Sequence, residues 1–273
     1  MNPTGFLLGT HQPGWLARMD VPLFVSDRRL RTYRRLPVAL GVWALDSGGF
    51  TELQTYGRWM TTPAEYAARV RRYVAQVGHL MWAAPQDWMC EPAVLAGGRI
   101  GPLRFAGTGL SVAEHQARTV ANLVQLRELA PDLPWIPVVQ GWTPTQYTDC
   151  VRAYEVAGID LTAEPLVGVG SVCRRQSTTD AEHILSSLHA AGVHRLHGFG
   201  FKTTGLARCA HLLVSADSLA WSYDARHRPP LPGCTRHTNC ANCPRAALAW
   251  RTRLLASLPT HHQPALFPLG AAA

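Results

Sequence analysis

Short apolar segments alternate with longer amphipathic segments along this chain. The apolar segments are residues 6–10, 38–45, 79–84, 136–140, 166–169, 195–199 and 212–215. Apolar runs of this length are typical of buried strands, and strands that alternate with helices build parallel sheets. Because the units repeat through most of the chain, the pattern favours a TIM-like (β/α)8 barrel of the α/β class over a doubly wound sheet. No Gly-x-Gly-x-x-Gly motif follows the first segment, which also weakens the dinucleotide-binding alternative.

Helix starts lie between these segments. Thr62, Pro63 and Glu65 have the character of an N-cap, a first-turn proline and a first-turn acid. Ser111 and Glu114 form a capping box that predicts a helix to about residue 129. Residues 143–144 open a further predicted helix to about residue 156, and residues 179–191 another.

Polar residues follow the apolar segments at the ends of the predicted strands. They are His11, residues 46–49, residues 86–87, residues 140–141, residues 168–175, residues 198–202 and Asp217. The active sites of α/β barrels lie at this end of the strands. A single polar residue there is readily explained as a helix cap, whereas the whole set predicts a catalytic site.

Length and composition agree with one globular enzyme. The chain has 273 residues, of which 47% are hydrophobic and 16% charged. Its net charge of +8 suits a polyanionic partner, although a solvated basic surface without a partner is an equal alternative. Residues 1–10 lack a basic signal-peptide start, and no apolar run is long enough to cross a membrane. We therefore expect a cytoplasmic protein without a membrane partner.

A cysteine-rich segment near the C-terminus predicts a metal site. Cys234, His237, Cys240 and Cys243 follow one another at three-residue spacing. Three thiolates and one imidazole form a closed tetrahedral ligand set, which is typical of structural Zn²⁺. Free thiols or a disulfide between Cys240 and Cys243 are the alternatives, and residues 261 or 262 are alternative histidine ligands. We predict a barrel catalytic domain over residues 1–225, a zinc-binding subdomain packed on it over 226–258, and a tail over 259–273.

Two carboxylates occupy strand ends that a barrel brings together. Asp46 precedes two glycines, and Asp217 lies at the end of the last apolar segment. The first and last strands of a barrel are neighbours, so carboxylates from early and late strands can converge on one substrate. Such a pair can supply an ionised nucleophile and a proton-transfer group.

These elements resemble a known family in their order along the chain. Residues 46–50 (Asp-Ser-Gly-Gly-Phe), 139–141 (Val-Gln-Gly), 168–171 (Gly-Val-Gly-Ser) and 197–200 (His-Gly-Phe-Gly) are similar to elements of the tRNA-guanine transglycosylases. Asp217 stands where that family keeps its nucleophile, ahead of a zinc subdomain. Residues 9–15, 21–26, 84–91 and 168–175 resemble the DpdA branch more closely, whose members are proposed to place deazapurines in DNA.

The resemblance implies roles for individual residues. Asp217 would be the nucleophile that attacks the sugar, and Asp46 would transfer protons to and from the base. The implied base-binding residues are Asp87, Gln140, Gly141, Gly170 and Phe50. Exchange of guanine in DNA for a 7-deazaguanine, such as 7-cyano-7-deazaguanine, is the implied reaction.

Other hypotheses about the substrate and the activity stay open beside this one. The zinc spacing departs from the family pattern, and the residues after Asp217 lack the Pro-Thr-Arg usual in tRNA enzymes. These departures favour DNA over tRNA as the polymer and leave the histidine ligand undecided. Hydrolysis without base exchange, or a zinc-containing nucleic-acid-binding protein without activity, are the rival functions. The resemblance also leaves room for accessory proteins that open the duplex.

A few basic residues are candidate contacts to nucleic acid. Lys202 is the only lysine of the chain, and Arg174 and Arg175 follow the predicted glycine-rich loop. His11 lies at the mouth of the first predicted strand. We expect these four residues to contact nucleic acid, and surface charge or a capped histidine is the simpler alternative.

Overall fold

The structure, a computed structural model, describes residues 5–173, 179–201 and 203–258. Its strands are β1 (Gly5–Thr10), β2 (Leu23–Ser26), β3 (Trp43–Asp46), β4 (Leu80–Ala83), β5 (Gly98–Ile100), β6 (Leu103–Phe105), β7 (Val138–Val139), β8 (Val167–Val169), β9 (Leu196–Gly198) and β10 (Ser215–Ser218). Its helices are α1 (Asp27–Leu30), α2 (Gly49–Tyr56), α3 (Pro63–Gln76), α4 (Pro92–Ala96), α5 (Val112–Leu129), α6 (Pro144–Val156), α7 (Thr179–Ala190), α8 (Thr203–Cys209), α9 (Ala220–Arg226) and α10 (Pro244–Ser257). Single 3-10 turns cover Pro13–Trp15 and Ala210–Leu212.

Eight strands form one parallel sheet in the order β4-β3-β2-β1-β10-β9-β8-β7. β1 pairs with β10, so the first and last strands are neighbours as expected of a barrel. At the opposite side a parallel bridge joins Ala83 to Trp135, in the segment that leads into β7. The sheet therefore curls round until its two edges meet, and the predicted TIM-like α/β fold is confirmed.

The predicted helix starts are confirmed in detail. Thr62, Ser111 and Thr143 each cap a helix in a reciprocal capping box with the residue three positions later. In α3 the buried face contains Tyr66, Val70 and Tyr73. Because each capping box satisfies two otherwise unpaired backbone donors, it sets the residue at which the helix begins.

Several strand predictions need correction. The apolar run over residues 38–45 becomes a strand only from Trp43 onward, because Val38 and Leu40 lie 68% and 61% exposed in an irregular segment. The strand predicted at residues 212–215 lies too early in the chain. β10 starts at Ser215, so Asp217 lies within the strand. β2 and the antiparallel pair of β5 with β6 were not predicted.

The first units of the barrel have short connections, and the C-terminal helix compensates for them. Only a 3-10 turn stands between β1 and β2, where a full helix would usually cover the sheet. α10 packs there instead: its Ala247 and Leu254 belong to the main core, and the Trp250 ring lies 5.8 Å from that of Phe6. The chain thus closes its core with its last described helix.

Candidate active site

The C-terminal ends of the strands open into a cleft with two adjoining cavities. Their volumes are about 230 and 220 Å³, and Phe24, Asp46, Phe50 and Asp217 line both of them. The first cavity, here called the arginine pocket, is also lined by His11, Ser26, Arg28, Arg29 and Thr51. The second, here called the amide pocket, is also lined by Asp87, Gln140, Gly170, Ser171 and Phe199.

Asp217 occupies the wall between the two pockets. The residue is only 5% exposed, and its Oδ1 accepts a hydrogen bond of 2.9 Å from the backbone N–H of Gly200. The strand β10 and the turn after β9 therefore fix one carboxylate oxygen. A carboxylate held in this way has little conformational freedom left to lose on reaction, which favours attack on a positioned carbon.

His197 contacts Asp217 and was not predicted as a site residue. Its ring is fully buried, with Nδ1 2.8 Å from the Ser215 hydroxyl and Nε2 3.3 Å from Asp217 Oδ1. The Trp82 and Phe199 rings pack edge-on against the His197 ring, with ring centroids 4.7 and 4.9 Å from it. The signal for it in the sequence is its place as the first residue of the glycine loop at residues 197–200.

Asp46 ends β3 and, like Asp217, lines both pockets at their shared wall. The loop that follows it turns at Gly48, whose φ of +82° is one that a residue with a side chain rarely adopts. Burial raises the pKa of Asp46; the nearby Asp217 raises it further, while hydrogen bonds from Gly48 and Ser26 oppose the shift. A carboxyl group with a raised pKa is suited to hold a proton and release it to a leaving group.

Asp87 and Gln140 form one hydrogen-bonded unit in the amide pocket. Gln140 Nε2 donates to Asp87 Oδ2 over 2.5 Å, and the Ser47 hydroxyl lies 3.4 Å from Asp87 Oδ1. Burial, and then the negative charge of Asp46, raise the pKa of Asp87 to about 7. This carboxyl group is therefore poised between its charged and neutral forms near neutral pH.

The rest of the amide pocket holds the Gln140 side chain in place. The Ser171 hydroxyl donates to Gln140 Oε1 over 2.7 Å. A Cβ at Gly170 would overlap the side-chain amide of Gln140, so any larger residue there would displace that amide. Both backbone groups of Gly170 are engaged, its N–H with Val139 and its carbonyl with the Tyr147 hydroxyl.

Gly141 lies behind the pocket wall. An added Cβ there would come within 2.9 Å of the Tyr147 backbone nitrogen at the start of α6. Phe50, in contrast, lines both pockets and meets the Phe105 ring edge-on at 5.8 Å. Phe24 and Phe199, which were not predicted, complete the aromatic lining with ring centroids 6.0 Å apart.

Of the four residues predicted to contact nucleic acid, only His11 lies within the described residues. His11 lines the arginine pocket. Burial, followed by the charges of Arg29, Arg226 and Arg28, lowers the pKa of His11. Lys202, Arg174 and Arg175 lie outside the described residues.

Cys234, His237, Cys240 and Cys243 converge on one point between α9 and α10. Their ligand atoms all lie within 4.8 Å of one another. The sulfur atoms of Cys234 and Cys243 are 3.9 Å apart, close to the roughly 3.7 Å spacing of two thiolates on a tetrahedral zinc ion. The four groups therefore fit a metal ion such as Zn²⁺, and all seven cysteines of the chain are free thiols. The alternative ligands at residues 261 and 262 fall outside the described residues.

The cysteine cluster is tied to the barrel through α9. The Ser222 hydroxyl donates to the backbone carbonyl of Ala241, between two of the cysteines, over 2.7 Å. One residue earlier, Trp221 Nε1 donates to the Gly9 carbonyl at the end of β1 over 2.9 Å. A metal at the cluster would thus steady the strand end that borders the arginine pocket.

Comparisons with known proteins bear on this site. The family model of DpdA, described as DeoxyPurine in DNA protein A, matches residues 3–273. A comparison with curated proteins gave no match. Within the described ranges, no helix has both the length and the apolar character needed to cross a bilayer.

Proposed function

Since the chain belongs to the DpdA family of DNA-guanine transglycosylases, we propose that it replaces guanine in DNA by a 7-deazaguanine base such as 7-cyano-7-deazaguanine. The exchange proceeds through a covalent link between Asp217 and the sugar. The observation that carries this proposal is the shared wall of the cleft, where Asp46 and Asp217 face a pocket that ends in Asp87 and Gln140.

The first half of the reaction removes the old base. The target nucleotide leaves the duplex, at a cost of a few kcal/mol, and its guanine enters the amide pocket. A carboxylate oxygen of Asp217 bonds to C1′ of the sugar while the bond from C1′ to N9 breaks. The electron pair goes to the purine, and Asp46 gives its proton to the departing base. Burial beside Asp217, which raises the pKa of Asp46, supports this acid role.

The second half reverses these steps with another base. A free deazaguanine occupies the vacated pocket and loses its N9 proton to Asp46. N9 then bonds to C1′, and the ester bond to Asp217 breaks. Atoms and charges balance without an oxidant or an energy-rich nucleotide, and Asp46 ends in its original protonation state.

The amide pocket selects the base by its hydrogen-bonding edge. An ionised Asp87 accepts from the ring N–H and the amino group of guanine, and the second N–H of the Gln140 amide points to its carbonyl oxygen. Phe50, Phe24 and Phe199 supply ring faces and edges against which a planar base packs. Gly170 contributes by having no side chain, which leaves room for the Gln140 amide.

The remaining expectations form part of the same proposal. Cys234, His237, Cys240 and Cys243 would hold a structural zinc ion, which ties the loop after α9 together. The barrel over residues 1–225 would be the catalytic domain, with residues 226–258 as the zinc-binding subdomain. Lys202, Arg174 and Arg175 would contact DNA, and accessory proteins would assist in opening a duplex.

Labelled base exchange tests the proposal. Purified protein is incubated with labelled guanine and with duplex DNA, single-stranded DNA or tRNA, and incorporated label is counted, with Asp217→Ala as control. Incorporation into DNA that disappears in the variant is the expected result. Incorporation into tRNA alone would overturn DNA as the substrate, and release of guanine without incorporation would identify a hydrolase.

A further inference from the structure

The arginine pocket contains positive charge that the proposed chemistry does not use. Arg28 and Arg29 line it beside Thr51, and Arg226 lies close enough to act on His11 by its charge. Among the ion pairs of the described residues, neighbouring Arg31 pairs with Glu52 and Arg69 with Asp27, whereas none includes Arg28, Arg29 or Arg226. Among the described residues, these three arginines therefore have no ion-pair partner.

The local fold holds these arginines at the pocket. They follow Asp27, the first residue of α1, which is 1% exposed. Asp27 accepts two hydrogen bonds from Arg69, of 3.0 and 2.7 Å, and one of 2.7 Å from the Tyr73 hydroxyl. Because α3 clamps α1 in this way, its two arginines are anchored at their backbone although their side chains reach solvent.

Arg28 is also positioned against the loop that carries Asp46. A Cβ at Gly48 would lie 3.3 Å from the Cβ of Arg28, so the Arg28 side chain begins directly beside the turn at Gly48. The guanidinium of Arg28 donates to the Thr51 hydroxyl over 3.3 Å. The arginine side chain and the first turn of α2 thus border the pocket together, with further N–H donors of the guanidinium left to face it.

Resting on the proposed function, we propose that the arginine pocket binds a phosphodiester group next to the target nucleotide, with Arg28 and Arg29 as the charged contacts. The sugar under attack must lie at the shared wall, at Asp217. A flanking phosphate is covalently attached to that sugar, and the arginine pocket is the adjoining cavity. Guanidinium groups are the preferred partners of phosphate oxygens, because their planar N–H donors match two oxygens at once.

His11 and Thr51 complete the pocket as uncharged partners. The lowered pKa of His11, caused by burial and by the three arginines, keeps its ring neutral at physiological pH. A neutral imidazole and a hydroxyl both donate hydrogen bonds to an anion without adding charge. The pocket is thereby suited to one phosphodiester and not to a dense cluster of phosphates.

The test compares binding of oligonucleotides to full-length protein variants. Dissociation constants for a single-stranded DNA containing one guanine are measured over a range of salt concentrations by fluorescence anisotropy. Arg28→Gln with Arg29→Gln is the test variant; Arg71→Gln with Arg152→Gln removes the same charge from the outer helices α3 and α6. We expect the test variant to bind about tenfold more weakly and with a salt slope smaller by about 0.7, and the control to bind like wild type.

Neutral backbone substitutions locate the contact. One phosphodiester at a time is replaced by an uncharged methylphosphonate. Wild type should lose affinity sharply at a position directly flanking the guanine, and the test variant should show no further loss at that position. Equal losses in both proteins at every position would overturn the proposal. So would an oligonucleotide affinity that methylphosphonates leave unchanged while the variant loses binding of inorganic phosphate, because the pocket would then serve a free anion.

This test is separate from that of the proposed function. If wild type exchanges guanine in DNA but the test variant keeps the wild-type KM for DNA, the phosphodiester pocket is wrong and the base exchange stands. If no DNA supports exchange while the flanking-phosphate effect is present, the pocket stands and the proposed reaction falls. Thermal unfolding of each variant controls for loss of structure.

Discussion

The two pockets of the cleft share one wall but are built on opposite principles. In the amide pocket, Asp87, Gln140 and Ser171 are bonded to one another, so the polar groups are oriented before a ligand arrives. In the arginine pocket, Arg28 and Arg29 have no ion-pair partner among the described residues, and Arg28 is held only by a hydrogen bond of 3.3 Å to the Thr51 hydroxyl. Under the proposed function, the first arrangement would select a neutral base by shape and hydrogen bonds, and the second would supply affinity for a charged polymer. Recognition and attachment would then be separated by the wall that carries Asp46 and Asp217.

Removal of the nucleophile should abolish the chemistry and spare both pockets. In Asp217→Asn the side chain keeps its shape but loses the negative charge needed to attack C1′, so we expect base exchange to fall by about 10³-fold or more. The affinity for single-stranded DNA should stay within about twofold of wild type, since that affinity comes from phosphate contacts. Incorporation of labelled guanine and anisotropy binding measure the two quantities. Exchange at more than a tenth of the wild-type rate would rule out Asp217 as the nucleophile.

Disruption of the cysteine cluster should affect the arginine pocket more than the amide pocket. Cys240→Ser removes one ligand of the cluster, and structural zinc sites contribute directly to folding, so we expect the unfolding midpoint to fall by about 10 °C or more. Because α9 connects the cluster to the end of β1, DNA affinity should weaken more than the KM for guanine rises.

Cys209→Ala is the matched control for this variant. Cys209 is a fully buried thiol of α8 outside the cluster, and its loss should cost only about 1 kcal/mol of stability. Zinc content per chain, measured by mass spectrometry, should fall in the Cys240 variant alone. Equal zinc content in both variants would contradict the ligand assignment.

A single methyl group should disturb the amide pocket alone. In Gly170→Ala the new Cβ displaces the Gln140 amide, which is fully buried and bonded at both ends. Overpacking of this kind costs about 1–3 kcal/mol, so we expect the KM for guanine to rise about tenfold. DNA affinity should not change. Gly14→Ala, where an added Cβ meets no atom within 4 Å, serves as control.

The charge of Asp87 should appear as a pH dependence of stability. Its pKa of about 7 in the folded protein lies above the ordinary value of 3.8, so the folded chain keeps a proton that the unfolded chain has released between these values. Stability from this group is therefore present at about pH 4 and is lost as the pH rises through 7. Asp87→Asn removes the effect. The unfolding midpoint of the variant should therefore rise relative to that of wild type from pH 4 to 7, and the difference between the two midpoints should stay constant above pH 7. A difference that does not vary with pH would show that Asp87 is not perturbed.

Much of the fold and part of the site could be predicted from local patterns. The capping boxes at Thr62, Ser111 and Thr143 depend on residues three positions apart, which a sequence shows directly. The barrel follows from the alternation of strand and helix. The segment before Trp43 was mispredicted because exposed apolar residues such as Val38 look like core residues when burial is unknown.

The features that were missed depend on contacts between distant segments. His197 acquires its position from Ser215 and Asp217, which no spacing rule relates to it. Arg28 and Arg29 look like ordinary surface charge until the clamp on Asp27 and the Gly48 loop place them beside Asp46. Strand β2 has four residues and no long helix on either side, so it lacks the alternation that marks the other strands.

The pairing of β1 with β10 has a consequence for the order in which the protein matures on the ribosome. Gly5 is among the first described residues to be synthesised, yet its partner Ser215 and the covering helix α10 come near the end. Contacts so distant in sequence form late, because a long stretch of chain must be ordered before they stabilise anything. Asp217 lies on that last strand. In a nascent chain, Arg28 and Arg29 are therefore synthesised well before the proposed nucleophile, and the proposed cleavage of a glycosidic bond would become possible only when β10 has paired with β1.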